Sequence, residues 1–246
     1  MVPWRKSWRK VLPSSEWSAL SASVTDIFML GTDFYGSKLA RLPLEFYTRT
    51  DVVQIARELL GKVLVTEIDG QRTAGRITET EAYRAPDDRA CHAFGNLRTA
   101  RTEVMFQEGG RAYVYLCYGI HHLFNVVTGP VDMAHAVLIR AIEPVEGSDI
   151  MQQRRSGSRE KHLSKLTTGP GTLSQALGVT TGFTGQSLLK PDTLIWIEGT
   201  AVAISDHEIA AGPRIGVDYA GECAAWPWRF WLKNSPFVKK TMDRKK

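Results

Sequence analysis

Between Gly75 and Val127 the chain gathers groups able to hydrolyse a bond and to hold a flat ring while doing so. Glu79 and Glu81 stand at alternate positions in ETEAY, with Tyr83 closing the phrase. Tyr113, Tyr115 and Tyr118 come from YVYLCYG, and His92 and Asn125 lie in the same stretch. A carboxylate can orient or deprotonate water and offset positive charge that develops at a reacting carbon. Aromatic faces bind a planar ring by stacking and favour an electron-poor or cationic one. Arg140 interrupts the apolar run AHAVLIRAIEP. Burying an arginine there is costly unless a carboxylate or a substrate compensates it. Glu81 also has an ordinary reading, an ion pair with Arg76 or Arg140, and for Arg140 the structural and the functional role can hold together. Glu79 would share a strand face with Glu81, Cα atoms roughly 7 Å apart, and reads as an ion-pair partner rather than a second catalyst.

The elements that must position these groups are mostly strands. Thr50 or Asp51 can cap a helix whose apolar side is Val52, Ile55, Leu59 and Leu60, with Gly61 as its stop. Lys62–Ile68 and Thr73–Tyr83 read as strands joined by the hairpin signal Asp69-Gly70, which places Glu79, Glu81 and Tyr83 on one face near a strand end. Arg84 to Gly110 has turn residues and little periodicity, so it is predicted as a long surface loop carrying Cys91 and His92 across the site. Ala112–Cys117 and Leu123–Val127 follow as strands about a tip at Tyr118-Gly119, then Ala134–Ile142 as another. Helical signals recur at Asp149–Arg155 and Thr172–Leu177. Thr193–Glu198, Ala201–Asp206 and Trp228–Lys233 read as late strands. The residues before about Asp33 read as a weakly ordered tail, 34–238 as one domain, and 239–246 as a basic C-terminal tail; no internal repeat is visible.

Composition narrows the class. A chain of 246 residues that is 43% hydrophobic can bury one substantial core. No apolar run approaches the ~20 residues needed to cross a bilayer, and MVPWRKSWRK lacks the apolar core of a secretory signal. A Ser-rich, Arg-containing leader could be a transit peptide, but Glu16 and Asp26 count against it. Three scattered cysteines without a CxxC spacing argue against a disulfide framework or a zinc cluster, and reduced thiols inside a cell are expected. His92, His121, His122 and His135 form no metal-binding spacing, so no metal or cofactor is expected. The net charge is +5 and unevenly placed. Residues 1–41 hold six basic and three acidic side chains, 150–170 five and one, 229–246 seven and one, leaving the remainder at −8. Separate basic segments around a less basic body suit a polyanion gripped at several phosphates, or are simply solubilising.

The phrases ETEAY, YVYxxYG and FNVV, in this order and followed by LIRAIEPVEG, GPGTLSQALGV and PRIGVDYAGE, resemble the alkyladenine (3-methyladenine) DNA glycosylase family from about Phe34 to Phe237. The resemblance implies a mixed α/β (α+β) single domain around a curved antiparallel sheet, similar to the formyltransferase C-terminal domain and not a helix-hairpin-helix fold. It implies a monofunctional glycosylase that hydrolyses the N-glycosidic bond of a damaged purine in double-stranded DNA and leaves an abasic site. Glu81 then activates water, helped by Arg140 and the backbone carbonyl of Ile215. Tyr83, His92 and Tyr115 sandwich the flipped base, Asn125 crowds a purine 2-amino group, and Tyr118 enters the stack where the nucleotide has left. Tyr113, on the same face as Tyr115, is left to core packing. The helix opened by TTGPGTLSQAL could receive a phosphate at its free N–H groups, although Thr172 stands where relatives often carry a basic residue. A monomer acting on DNA within the cell is expected. Two other readings stay open: a sugar-processing hydrolase using Glu79 and Glu81, and a catalytically silent binder of damaged DNA.

Overall fold

The computed structural model describes residues 40–155, 163–200 and 203–239. The N-terminal tail, the middle of the basic 150–170 segment and all but the first residue of the C-terminal tail lie outside the described residues. One helical turn, α1 (Leu44–Tyr47), precedes helix α2 (Val52–Glu58). The predicted cap is in place, for Asp51 Oδ1 accepts the Gln54 N–H at 2.9 Å, and Gly61, at φ 82°, ends the helical run. Strands β1 (Val63–Ile68) and β2 (Gln71–Arg84) form a hairpin across Asp69 and Gly70, whose φ values of 53° and 72° suit a two-residue turn. A second hairpin joins β3 (Arg111–Cys117) to β4 (His121–Thr128) through Tyr118 and Gly119, at φ 50° and 72°. The chain continues through β5 (His135–Glu146), α3 (Ser148–Arg154), α4 (Pro170–Leu177), β6 (Ile195–Glu198), β7 (Ile209–Gly212) and β8 (Arg229–Leu232).

The eight strands among the described residues join one open antiparallel sheet, six of them in the order β3-β4-β5-β2-β1-β6. The long β2 has β5 on one side from Ala74 onward and, on the other, first β1 and then β8, which in turn pairs with β7. The mixed α/β single-sheet class expected from the sequence is therefore the one found. No helix among the described residues is long and apolar enough to cross a membrane.

Alternation along the strands divides the core between the two sheet faces. Ala112, Val114, Val126, Val137 and Ile139 face helices α2 and α4, where Ile55, Leu59, Leu173 and Leu177 are fully buried. Their strand neighbours Tyr113, Val127 and Ala136 face the other way, onto Cys91, Ala93, Met105 and Phe106. Glycine allows a close approach at Gly109, where a Cβ would lie 2.5 Å from the Tyr47 carbonyl oxygen.

Four sequence expectations change. The segment after β2 is a surface loop only in part: residues 94–101 are exposed, as expected. Ala85, Cys91 and Ala93, and then Val104, Met105 and Phe106 of the 3₁₀ turn Glu103–Phe106, pack into the second core, a pattern too irregular for helical or strand periodicity to reveal. Ala203–Ser205 are not a strand, and 201–202 lie outside the described residues. Ser205 instead forms a capping box with Glu208 on a 3₁₀ turn, and the strand that follows is Ile209–Gly212. His121 and His122 belong to β4 rather than to the loop. β5 runs on through Pro144, beside a register shift at Ala74/Gly75.

Candidate active site

Glu79, Glu81 and Tyr83 project from one face of β2 where β5 and β8 flank it. Arg140 reaches them from β5, on the same side of that strand as Leu138, which pairs with Glu81. Glu79 pairs with Ala141 and Thr80 with Ile139, so Arg140 is also the extra residue of a bulge. Its Nε donates to Glu79 at 2.9 Å and its Nη1 lies 3.2 Å from Glu81. Arg229 of β8 adds a second guanidinium 3.5 Å from Glu79. All four groups are buried, and they form two carboxylates against two guanidiniums. Arg76, the other partner considered for Glu81, pairs with Glu143 instead. Burial works against the charge on Arg140, but Glu81 and Glu79 outweigh it and hold the guanidinium more firmly protonated than usual. Burial leaves the Glu79 carboxyl above the ordinary range despite Arg140 and Arg229.

Glu81 has every oxygen engaged. Its Oε2 accepts the Tyr83 hydroxyl at 2.7 Å, and its Oε1 accepts the Ile215 N–H at 2.8 Å. Ile215 thus meets Glu81 through its amide, in addition to whatever its carbonyl does. Burial first, then the Glu81 charge, pushes the Tyr83 phenol well above its usual range, so it stays a donor at neutral pH.

Above this cluster opens a cleft of about 330 Å³, lined by Tyr83, His92, Tyr113, Tyr115, Tyr118, Leu138, Arg140 and Ile215 among others. Glu81, fully buried, is not a wall of the cleft but sits behind Tyr83, Arg140 and Ile215, which are. The His92 and Tyr115 rings meet edge to face at 4.6 Å, and His92 Nδ1 shares a hydrogen bond of 2.7 Å with the Tyr113 hydroxyl. One Arg101 nitrogen lies 3.0 Å from Nε2 and 3.4 Å from Nδ1 of His92, a position over the imidazole face rather than in its plane. Burial, and then the Arg101 charge, lowers the His92 pKa to about 4, so the ring is neutral at pH 7. Tyr118 stands at the hairpin tip, 91% exposed.

The structure brings Glu81, Arg140, Tyr83, His92, Tyr115, Tyr118 and Ile215 together in and behind one cleft. Tyr113, read as packing, does pack in the second core but also lines the cleft and anchors His92. Asn125 is not among the residues that line the cleft, but it lies on β4 between Tyr113 and Leu138, which do. It is paired in register with Tyr113 and Leu138, and its amide nitrogen donates to the Tyr113 and Leu123 carbonyls at 3.1 and 3.3 Å. In the GPGTL segment, Thr172 Oγ1 bonds the Gly169 carbonyl at 2.8 Å and Gly171 lets α4 approach His121. Among the described residues no three His, Cys, Asp or Glu side chains converge as metal ligands. Sequence reasoning missed Arg229, although WRFWL offers the same signal as Arg140, a cation inside an apolar strand. It also missed Tyr219, a 71% exposed aromatic lining the cleft.

The sequence profile of the family described as "Methylpurine-DNA glycosylase (MPG)" matches residues 45–236, the span that holds the sheet and the cleft. A protein of Chlamydia abortus named "Putative 3-methyladenine DNA glycosylase" is 51% identical over 192 residues, covering 78% of this chain and 97% of its own. One of the same name from Bacillus cytotoxicus is 45% identical over 204 residues, covering 81% of this chain and 100% of its own. The chain therefore belongs to the methylpurine-DNA glycosylase family, and it is a DNA glycosylase of base-excision repair, a hydrolase of N-glycosyl bonds.

Proposed function

We propose that this glycosylase extrudes an alkylated or deaminated purine nucleotide from double-stranded DNA into the aromatic cleft and hydrolyses its N-glycosidic bond with water activated by Glu81. The observation that carries the reading is a buried carboxylate held by two hydrogen bonds and one ion pair directly behind Tyr83, Arg140 and Ile215, in a cleft walled also by His92 and Tyr115. As the C1′–N bond lengthens, its electron pair moves onto the base and positive charge builds on the sugar, which the Glu81 charge offsets. Water adds to C1′ and gives its proton to Glu81, with Arg140 and the Ile215 carbonyl holding the water. Asn125, on the cleft-facing side of the sheet, crowds the 2-amino group of guanine.

Alkylation at a ring nitrogen makes the base a cation, so it leaves without needing a proton. His92 is neutral and the tyrosines are held protonated by burial, which favours such pre-charged bases in an aromatic slot. Extruding the nucleotide costs about a few kcal/mol, and the exposed Tyr118 ring fills the gap it leaves. The protein acts on DNA as a monomer inside the cell.

The test is single-turnover base release from duplexes bearing methylated purines, hypoxanthine or ethenoadenine, scored as alkali-labile abasic sites. Wild type releases base, and Glu81→Gln, which keeps the side-chain volume, loses about 10³-fold or more in rate while still binding the duplex. Salt-sensitive binding with no release from any duplex would replace this reading with that of a silent binder.

A further inference from the structure

Beside the reaction centre lies a second buried ion pair that the mechanism above does not use. Asp88 and Arg214 are both inaccessible to solvent and meet through two hydrogen bonds, Nη2 to Oδ1 at 2.8 Å and Nη1 to Oδ2. Such a pair is weak evidence of stabilisation, because taking two charges out of water offsets most of their attraction. What distinguishes this one is where its remaining bonds go. Arg214 Nη1 also donates to the carbonyl of Ala82, the residue between Glu81 and Tyr83, at 2.9 Å. Nη2 donates to the Cys223 carbonyl at 3.1 Å, and Asp88 Oδ1 accepts the Ala90 N–H at 2.9 Å. The guanidinium carbon stands 4.8 Å from the Tyr83 ring centroid. One planar fork thus ties the end of β2, the segment leading to His92 and the segment carrying Ile215 at a single point.

Both hydrogen-bond donors on Glu81 depend on that point. Ile215 follows Arg214 directly, so anchoring Arg214 to the Ala82 carbonyl sets where the Ile215 N–H meets Oε1. The same guanidinium backs the Tyr83 ring whose hydroxyl meets Oε2. Arg140, the ion-pair partner of Glu81, is held separately by Glu79. We propose that Asp88 and Arg214 are positioning residues of the glycosylase reaction, which fix the Glu81 carboxylate by controlling the Ile215 amide and the Tyr83 phenol. This rests on Glu81 being the water-activating group.

Asp88→Asn keeps the volume and removes one charge, and Arg214→Lys keeps the charge and loses the fork. Both variants and Glu81→Gln are compared with wild type for single-turnover release of a methylated purine across pH, for duplex affinity and for thermal unfolding. Misplacing a reacting group by about 1 Å costs about 10²-fold, so each folded positioning variant should lose about that factor with duplex affinity unchanged. The acidic limb of the rate should move to higher pH, because a carboxylate with fewer donors takes up a proton more readily. The other charged groups facing Glu81, namely Glu79, Arg140 and Arg229, are unaltered in both variants. If wild type releases no base, or Glu81→Gln releases it as fast as wild type, the Glu81 reading fails. If Glu81→Gln is inactive while folded Asp88→Asn and Arg214→Lys keep the wild-type rate and pH profile, the positioning inference alone fails. Loss of rate with an unmoved acidic limb, or failure of both variants to fold, would make the pair a brace of the fold and likewise overturn it.

Discussion

Replacing Arg140 by methionine keeps most of the side-chain volume and removes the charge between two buried carboxylates. Glu79 would retain Arg229 at 3.5 Å, and Glu81 would retain the Tyr83 hydroxyl and the Ile215 amide. Neither carboxylate has solvent to replace the guanidinium, since their side chains are 3% and 0% exposed. Breaking a buried pair by removing one partner costs about 3–5 kcal/mol. For a domain of this size that is a fall of roughly 10 °C in Tm. The loss should depend on pH in a definite direction. Without Arg140 the two carboxylates repel each other, so one of them holds its proton in the folded state at a pH where the unfolded chain, with an ordinary glutamate near 4.3, has lost it. A folded-state pKa raised above the unfolded value gives stability that is fully present below the unfolded pKa and lost as pH rises through the folded one. The variant should therefore lie closest to wild type at about pH 5 and fall away by up to about 1.4 kcal/mol per pH unit above it. Urea unfolding of both proteins at intervals from pH 5 to pH 8 measures the difference. A gap that is flat with pH, or smaller than about 1 kcal/mol throughout, would show that the carboxylates do not depend on Arg140.

Tyr118→Ala should leave Tm almost unchanged, because the ring is exposed, yet slow base release and weaken affinity for a lesion duplex; equal release would remove its wedge role. His92, with its folded pKa lowered to about 4, should make wild-type stability fall as pH drops from about 6.5 toward 4, because the unfolded chain binds the extra proton there. His92→Asn should lack that part of the slope in matched unfolding titrations. Gly109→Ala would set a Cβ 2.5 Å from the Tyr47 carbonyl oxygen, a backbone atom that cannot swing aside, and should cost about 1–3 kcal/mol in urea unfolding without altering the residues of the cleft.

The strands that carry the chemistry were legible because their signals are local. The Asp69-Gly70 and Tyr118-Gly119 turns and the alternation of Glu79, Glu81 and Tyr83 need only neighbouring residues to be read. What escaped depends on distant chain. The segment around Met105 and Phe106 looks like a loop until the underside of β3 and β4 is there to receive it. Arg140 could be suspected as a cation out of place, but that it meets both Glu79 and Glu81 follows only from the pairing of β2 with β5. Asp88 and Arg214 are 126 residues apart, and nothing near either one announces the other. Asn125 was readable as a strand residue, whereas its bonds to two carbonyls of its own hairpin emerge only from the register.

The sheet separates labour by depth. The carboxylates and Arg140 lie on β2 and β5, interior strands with neighbours on both sides, where a shift in one would disturb the rest. Tyr113, Tyr115 and Tyr118 lie on the outermost hairpin, whose outer side is met not by a strand of the sheet but by the segment 184–188, bonded at Gly110, Arg111, Ala112 and Val114. A hairpin at a margin can change its tip, or exchange one wall residue for another, without relaying the centre. On the proposed reading of the site, variation in which damaged base is accepted is open to gradual drift along the rim, while the hydrolytic machinery can change only by coordinated replacement of several partners at once.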